Sequence, residues 1–498
     1  MGEATLWMIS GLHESTERVF FCCTITLMKH RLDIALDRTA DMPLTEQIYT
    51  GIASAIETGV LLPGGRLPSW LDLASQLGVS RGTVKSAYER LADQQLVVSS
   101  PHAGTRVADH PIKRSPDTRL ENGETAPTAF RDFPSNIIGA FQNGVPASDC
   151  FPAALFARLR SRAARLETTS PLLYPDPHGA EELRRAISAN LAISRGLECH
   201  PSQVFVTHGY SGALAFALHV LPINGREAWT ENPGYFPARR ALEIAGLQPV
   251  PISVDHDGID VTCGERLAPN AGLALVTPGQ QAPLGSTLSL ARRCQLLEWA
   301  RNRQAWIIED DYLGELQLRR RAAPALASVD TAGRVIHIGS FSKTISPTLR
   351  LGFLISPPAL VERFAEAAAC FSPAPDPAVQ LATAEFMRDG HYLRHLRKMK
   401  RVYASRSSAL QHSLESKGYV VHPACLAIVL KLPDGLYDRE IASRARQEGL
   451  SPVPLSIWYA GQATQRDNHG LLLGVATANE ERIARDSHRL DRLIRGTG

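Results

Sequence analysis

The sequence changes character at one place. From Ala108 to about Ser135, a stretch of about 28 residues, apolar periodicity dissolves into a run rich in Pro, Asp, Arg and Thr. Connections inside a compact domain are commonly about 4–6 residues long, so the pieces on either side are expected to fold separately and to move relative to one another. The expected organisation is an N-terminal arm over 1–40, a first module over 41–108, a linker over 109–135 and a large module over 136–498.

The first module reads as a winged helix-turn-helix. Leu44, Ile48, Ile52, Ala55 and Ile56 repeat at helical spacing, and the helix stops at Gly59 before the turn at Pro63, Gly64 and Gly65. Ser69 can cap a second helix carrying Leu71, Leu73, Ala74 and Leu77. Gly78 ends it, and Ser80 caps a third helix carrying Val84, Ala87, Tyr88 and Leu91. Two short helices around a Gly-Val-Ser turn make a helix-turn-helix. Leu96 to Ser99 and Thr105 to Val107 then bracket Pro101, His102, Ala103 and Gly104, the hairpin of a wing.

Formal charge is only +3, from 53 basic and 50 acidic residues, so DNA binding has to come from a local patch. Between Leu44 and Val107 five cations are balanced by five anions; non-specific attraction is expected to be weak, and useful affinity to need two copies. The eight cysteines form no C-x-x-C pair, which argues for reduced thiols and no metal site. The membrane-like stretch Val19 to Met28 has about ten residues, where a span needs about twenty. Three glutamates precede it in place of a basic n-region, so neither a span nor a signal peptide is expected. Regular patterning begins near Leu32, which leaves two readings of the first residues: an arm, or a start at Met28.

From GGRLPS through LASQLGVSRGTVKSAYERL to the Gly104-Thr105 wing, about 65 residues resemble the DNA-binding module of GntR-type regulators. The resemblance implies that Ser80, Arg81, Thr83 and Lys85, at the start of the third helix, face phosphates and base edges, with His102 and Thr105 on the minor-groove side. Trp70 and Leu71 stand where related modules commonly place polar or charged residues.

In the large module, helical segments alternate with short apolar strands at Gln203 to Thr207, Leu273 to Thr277, Ala305 to Ile308 and Val335 to Ile338. That is the pattern of an α/β fold with a mainly parallel sheet covered by helices. Two of the strands deliver polar groups at their carboxyl ends, where open parallel sheets bind ligands: Glu309-Asp310-Asp311-Tyr312, and Gly339-Ser340-Phe341-Ser342-Lys343-Thr344. A lysine there can form a Schiff base with an aldehyde cofactor, and an aspartate can hold a pyridine nitrogen protonated. Arg350 can meet a phosphate bidentately. Thr207 to Ala213 joins a strand to a helix whose free amides suit a phosphate, and Tyr235 offers a ring to stack on a pyridine.

With Tyr174 in YPDPHGAEELR, TPGQQAPLG at Thr277 to Gly285 and HLRKMKRVYASR at His395 to Arg406, this module is similar to the aminotransferase-like, fold-type I domain of MocR-family regulators, from about Gly144 to the C-terminus. The resemblance implies pyridoxal phosphate (PLP) as cofactor, with Lys343 as its Schiff-base lysine, Asp310 at the pyridine nitrogen, Tyr312 at the ring hydroxyl and Tyr235 over the ring face. Gly209, Tyr210, Ser211, Ser340 and Arg350 would surround the phosphate. In fold-type I dimers a tyrosine of the neighbouring subunit reaches that phosphate; Tyr174 occupies its motif position, so a complete site implies a homodimer.

Some positions depart from the family pattern. Leu313 replaces an acidic residue and Ala282 a phenylalanine, and Gln281 stands near the point where aminotransferases place an asparagine on the ring hydroxyl. The late strand Leu471-Leu472-Leu473-Gly474 carries no arginine for a substrate carboxylate; Arg239 or Arg240 are the candidates to replace it. His178 and His208 are expected to be packing or hydrogen-bonding neighbours, and the basic helix Arg394 to Arg406 a solvated face or a subunit interface. The expected function is that of a cytoplasmic, PLP-dependent transcriptional regulator binding operator DNA as a homodimer. Its effector would be an amino acid, a small amine or PLP itself, with no membrane partner. The alternative is a PLP-dependent aminotransferase with an accessory DNA-binding module. Sensing needs only differential affinity between two arrangements, whereas catalysis needs a held carboxylate and turnover; the missing late arginine and the long linker favour sensing.

Overall fold

The computed structural model describes residues 21–27, 30–100, 104–109, 139–169, 174–318, 322–424, 426–461 and 469–496. The chain divides into two compact units, Met1–Thr125 and Ala126–Gly498. His102 and nearly all of the expected linker lie outside the described residues.

In the first unit, strands β1 (Phe21–Leu27) and β2 (His30–Leu36) pair antiparallel, so regular structure starts earlier than the patterning near Leu32 suggests. Ile34 and Leu36, on one face of β2, are buried among the helices that follow. These are α1 (Leu44–Glu57), α2 (Trp70–Leu77) and α3 (Arg81–Asp93), and a hairpin of β3 (Val97–Ser100) and β4 (Gly104–Val107) completes the unit. Local chemistry sets the boundaries. Ser69 and Ser80 accept hydrogen bonds from the Asp72 and Thr83 amides, and Gly78 ends α2 at φ +62°, where a side chain would be strained. Ile48, Ile52, Leu73, Val84 and Leu91 are fully enclosed and join the three helices in one core.

The second unit is built on an eight-stranded sheet of β5 (Val204–Thr207), β6 (Glu227–Asn232), β7 (Gln248–Asp255), β8 (Gly258–Ile259), β9 (Leu273–Val276), β10 (Trp306–Asp311), β11 (Val335–Ser340) and β12 (Gly352–Ile355), in the order β5-β12-β11-β10-β9-β6-β7-β8. Strands β11, β10, β9, β6 and β7 run parallel, while β12 is antiparallel to both of its neighbours and β8 to β7. Every residue of β5, β9 and β12 is buried, as in strands covered on both faces. The cover comes from α4 (Ala153–Thr169), α5 (Glu181–Arg195), α6 (Gly209–Val220), α7 (Phe236–Ile244), α8 (Val261–Leu267), α9 (Leu290–Arg303), α10 (Val361–Phe371) and α11 (Pro377–Arg388).

The 25-residue α12 (His391–Glu415) leads to a smaller sheet of β13 (Val421–Ala424), β14 (Ala427–Lys431), β15 (Val453–Pro454) and β16 (Gly470–Gly474), ordered β13-β14-β16-β15, with α13 (Asp438–Gln447) and α14 (Ile483–Arg495) beside it. Helix α12 is the expected basic helix, and its two faces differ. Leu396, Met399, Tyr403, Leu410 and Leu414 are buried, while Arg394, Arg397, Lys398 and Arg401 are exposed. Arg406 departs from a solvated role: it is buried, donates to the Ala476 carbonyl at 2.6 Å and pairs with Asp149.

Candidate functional site

Alternation along β10 separates two chemistries, because successive residues of a strand face opposite sides. On one side Arg195, at the end of α5, donates to Asp311 from Nε (2.8 Å) and Nη2 (3.1 Å). Glu309 is paired in register with His337 of β11, meets its Nδ1 at 3.0 Å, and accepts the Leu326 and Ala327 amides at 2.7 and 3.0 Å. Burial opposes the charge on Glu309, but His337, Arg195 and the Leu326 amide outweigh it and hold the carboxyl down to about 2. The sequence reading missed this buried layer; the period-two alternation around Asp310 was the signal available.

On the other side lies a cavity of about 380 Å³. Asp310, Tyr312, Tyr210, Ser211, Tyr235, Ser340, Lys343 and Arg350 all line it. Gly209 adjoins them: it opens α6 at φ +69°, and a Cβ on it would lie 3.7 Å from the carbonyl carbon of Arg350. A Cβ on Gly352 would come within 2.9 Å of Gly209 Cα, so the backbones here meet too closely for a side chain. Tyr174 does not join the group, and its side chain is fully exposed on the surface of its own chain.

Lys343 follows the end of β11, and its Nζ donates to the Gly144 carbonyl at 2.6 Å. Burial lowers its pKa against the opposing pull of Asp310, which favours the neutral, nucleophilic amine. Asp310 is buried, with no hydrogen bond to Oδ1. Burial pushes its carboxyl up to about 8; the Tyr210 hydroxyl and Lys343 pull it down, and Asp311 and Glu231 push it further up. A buried carboxyl oxygen without a partner is costly, and Oδ1 fits a group bringing a protonated nitrogen. Together with a desolvated lysine, a guanidinium and the amides opening α6, these residues fit PLP.

A pH dependence follows for the cofactor-free protein. The folded value of about 8 for Asp310 lies above the unfolded value of roughly 3.9, so between these limits the native state keeps a proton that the unfolded state has lost. The stability that this proton confers is complete below about pH 4 and is lost as the pH rises through about 8. Melting temperatures are therefore expected to fall more steeply with rising pH for the native chain than for Asp310→Asn; parallel curves would remove burial of Asp310 as the cause.

Tyr235 precedes α7, its ring 6.0 Å from Tyr210 and 5.9 Å from Trp458 between centroids. Trp458, Gln142 and Asn143 also line the cavity and were missed. No local pattern marks them: Gln142 and Asn143 lie in an irregular segment, and Trp458 ends a single 3-10 turn, Ser456–Trp458, remote from the motifs. Gln281 does not face the cavity. It is buried, and its Nε2 donates to the Pro233 and Ala282 carbonyls at 2.7 and 2.8 Å, tying the loop before Tyr235 to the loop at Pro283. The two candidate replacements for the late arginine are also engaged elsewhere: Arg239 donates to the Trp458 carbonyl at 2.8 Å, and Arg240 pairs with Glu243 at the surface. Arg350 is the one arginine among the described residues lining the cavity. His178 meets Asp176 at 2.9 Å and stacks on Phe205 with centroids 4.7 Å apart, a packing neighbour, and His208 is exposed.

In the first unit, Arg81 and Lys85 present exposed cations on the first turns of α3, and Lys85 pairs with Glu89 at 3.6 Å. Ser80 and Thr83 have hydroxyls bonded to each other at 2.7 Å within the cap, and the Thr105 hydroxyl meets Ser99 across the hairpin at 2.9 Å. Trp70 and Leu71 are partly exposed at the start of α2, 38% and 43%, with no cation in their place. Arg38 was missed because it precedes the helical pattern; it is exposed and donates to the Gly78 carbonyl at 2.7 Å, beside the helix-turn-helix turn.

Fold and site together define a fold-type I aminotransferase unit joined to a winged helix-turn-helix. Residues 141–449 match the family described as aminotransferase class I and II, and residues 44–107 the bacterial regulatory proteins of the gntR family. The chain is 33% identical over 460 residues to the probable rhizopine catabolism regulatory protein MocR of Rhizobium meliloti, covering 89% of this chain and 92% of that one. It is 29% identical over 460 residues to the HTH-type pyridoxine biosynthesis transcriptional regulator PdxR of Corynebacterium glutamicum, covering 91% and 96%. Among solved structures, the α-aminoadipate aminotransferase LysN of Thermus thermophilus, complexed with N-(5'-phosphopyridoxyl)-L-leucine, is similar with a TM-score of 0.65 and 26% identity, over 74% of this chain and 95% of that one. The chain belongs to the MocR family of DNA-binding transcriptional regulators. No helix among the described residues is long and apolar enough to cross a membrane.

Proposed function

We propose that this regulator is PLP-dependent and acts in the cytoplasm as a homodimer on operator DNA, with an amino acid, a small amine or PLP itself as effector. The observation that carries this reading is the buried Asp310 carboxyl, its Oδ1 without a hydrogen bond, in the same cavity as Lys343 and Arg350. In this reading Lys343 holds the cofactor, Asp310 keeps its ring nitrogen protonated, Tyr312 meets the ring hydroxyl and Tyr235 covers the ring face. Gly209, Tyr210, Ser211, Ser340 and Arg350 surround the phosphate. Bound there, PLP would supply an electron sink and an amine-reactive carbon. The full exposure of Tyr174 supports a contribution to a second copy's site. On the DNA side, the exposed Arg81 and Lys85 carry the phosphate contacts, and Ser80, Thr83 and Thr105 take part beside them; His102, the further candidate, lies outside the described residues. The effector acts through its differential affinity for two arrangements of the dimer.

Sensing is favoured over transamination because the described lining offers no cation beyond Lys343 and Arg350 for a substrate carboxylate. The deciding experiment is a multiple-turnover transamination assay with a panel of amino acids and keto acids, run beside operator binding with the same ligands. Ligand-dependent operator affinity with negligible turnover is expected. Steady turnover on the order of 1 per second would instead make the chain an aminotransferase with an accessory DNA-binding module.

A further inference from the structure

The lining of the cavity divides by chemistry. Among the described residues its cations are Lys343 and Arg350. Arg350 is committed once the cofactor reading of the previous subsection holds, on which this inference rests, and a displaced Lys343 leaves as an amine whose pKa burial lowers. The smaller sheet and the turn that follows β15 contribute Ala424, Leu426, Ala427, Val453 and Trp458, all at most 8% exposed. Leu472 of the late strand packs behind this wall in the same apolar cluster. Of the positions that might have supplied a further cation, Arg239 donates to the Trp458 carbonyl, and neither it nor the exposed Arg240 is among the residues that line the cavity. The remaining polar side chains of the described lining, Gln142, Asn143 and Ser342, offer neutral amides and a hydroxyl. A carboxylate entering this space leaves water for aliphatic and indole surface without a counter-charge, which is strongly unfavourable, whereas an uncharged hydrocarbon body gains by the same burial.

We propose that the effector subsite takes a primary amine with an uncharged, apolar body and disfavours the amino acid that carries the same side chain. An unprotonated primary amine would take the aldehyde carbon from Lys343, one carbon–nitrogen bond forming as the bond to the lysine breaks and Lys343 leaves as a free amine; the wall then selects among amines by what else they carry. The acceptor is the described wall, and the discriminating feature is the α-carboxylate.

The test uses the full-length, PLP-loaded protein and pairs of ligands that differ only in that carboxylate: phenethylamine against phenylalanine, and amylamine against norleucine. Each is titrated by cofactor absorbance and by operator affinity. Apparent Kd values are expressed on the unprotonated amine and normalised to the reaction of the same compound with free PLP. The amine of each pair is expected to bind at least about tenfold more tightly, a difference of about 1.4 kcal/mol. Equal or tighter binding of the amino acid, or binding of neither member, overturns this inference and leaves the cofactor reading standing. A chain that takes up no PLP overturns the cofactor reading, and this inference with it.

Discussion

Protein loaded with PLP is expected to be yellow, and borohydride to bleach the band while fixing the cofactor covalently on Lys343. Lys343→Ala should lose the fixable label completely. Lys343 is the one lysine among the described residues lining the cavity, and its amine is desolvated beside the Asp310 carboxyl. No other described lysine therefore combines access to this space with a raised fraction of neutral amine. The substitution removes one hydrogen bond, that to Gly144 at 2.6 Å, worth about 1 kcal/mol. The fold should therefore survive, and a melting curve run beside the labelling distinguishes loss of the lysine from loss of the domain. Label recovered on another lysine, or no absorbance with added PLP, would remove the cofactor from the account.

The second large effect concerns DNA. Replacing Arg81 and Lys85 together by alanine is expected to weaken operator binding and to flatten its dependence on salt. If both side chains neutralise phosphates, each module gives up as many as two of them, and the slope of log K against log salt falls by about 0.9 for each phosphate no longer neutralised. Both residues are exposed on α3, so the fold does not depend on them. The pair of Lys85 with Glu89, 3.6 Å apart with both side chains 61% exposed, is of the kind that contributes little when solvated, so it does not hold Lys85 back from a phosphate. The local balance of five cations and five anions from Leu44 to Val107 makes each remaining cation count for more. Unchanged affinity across a salt series would place the DNA on another surface of the protein.

Much of this protein was legible in its sequence because the determining interactions are local. The caps at Ser69 and Ser80 and the stop at Gly78 are set within three or four residues, and the helices they bound are those observed. The alternation of helices with apolar strands placed the parallel sheet. Since the carboxyl ends of adjacent parallel strands lie side by side, that alternation also brought Asp310 and Lys343 to one place. Backbone hydrogen bonding and side-chain periodicity act over short spans, so they can be read from consecutive letters.

Tertiary structure decided what depends on packing between remote segments. It turned Gln281 into a bridge between two loops, committed Arg239 to the Trp458 carbonyl and brought Trp458, Asn143 and the apolar face of the smaller sheet against the cavity. It buried Arg406 on a helix whose Arg394, Arg397, Lys398 and Arg401 are exposed, and left Tyr174 outside the cavity of its own chain. It also gathered Arg195, Glu309, Asp311 and His337 into the layer beneath the site. None of these follows from spacing, because the direction a long side chain takes is chosen by whichever partners the finished fold brings within reach. The sequence by itself therefore determined the two modules, the sheet and the polar anchors of the site. Only the closed packing of the chain determined the charge, depth and apolar wall of the cavity that those anchors share.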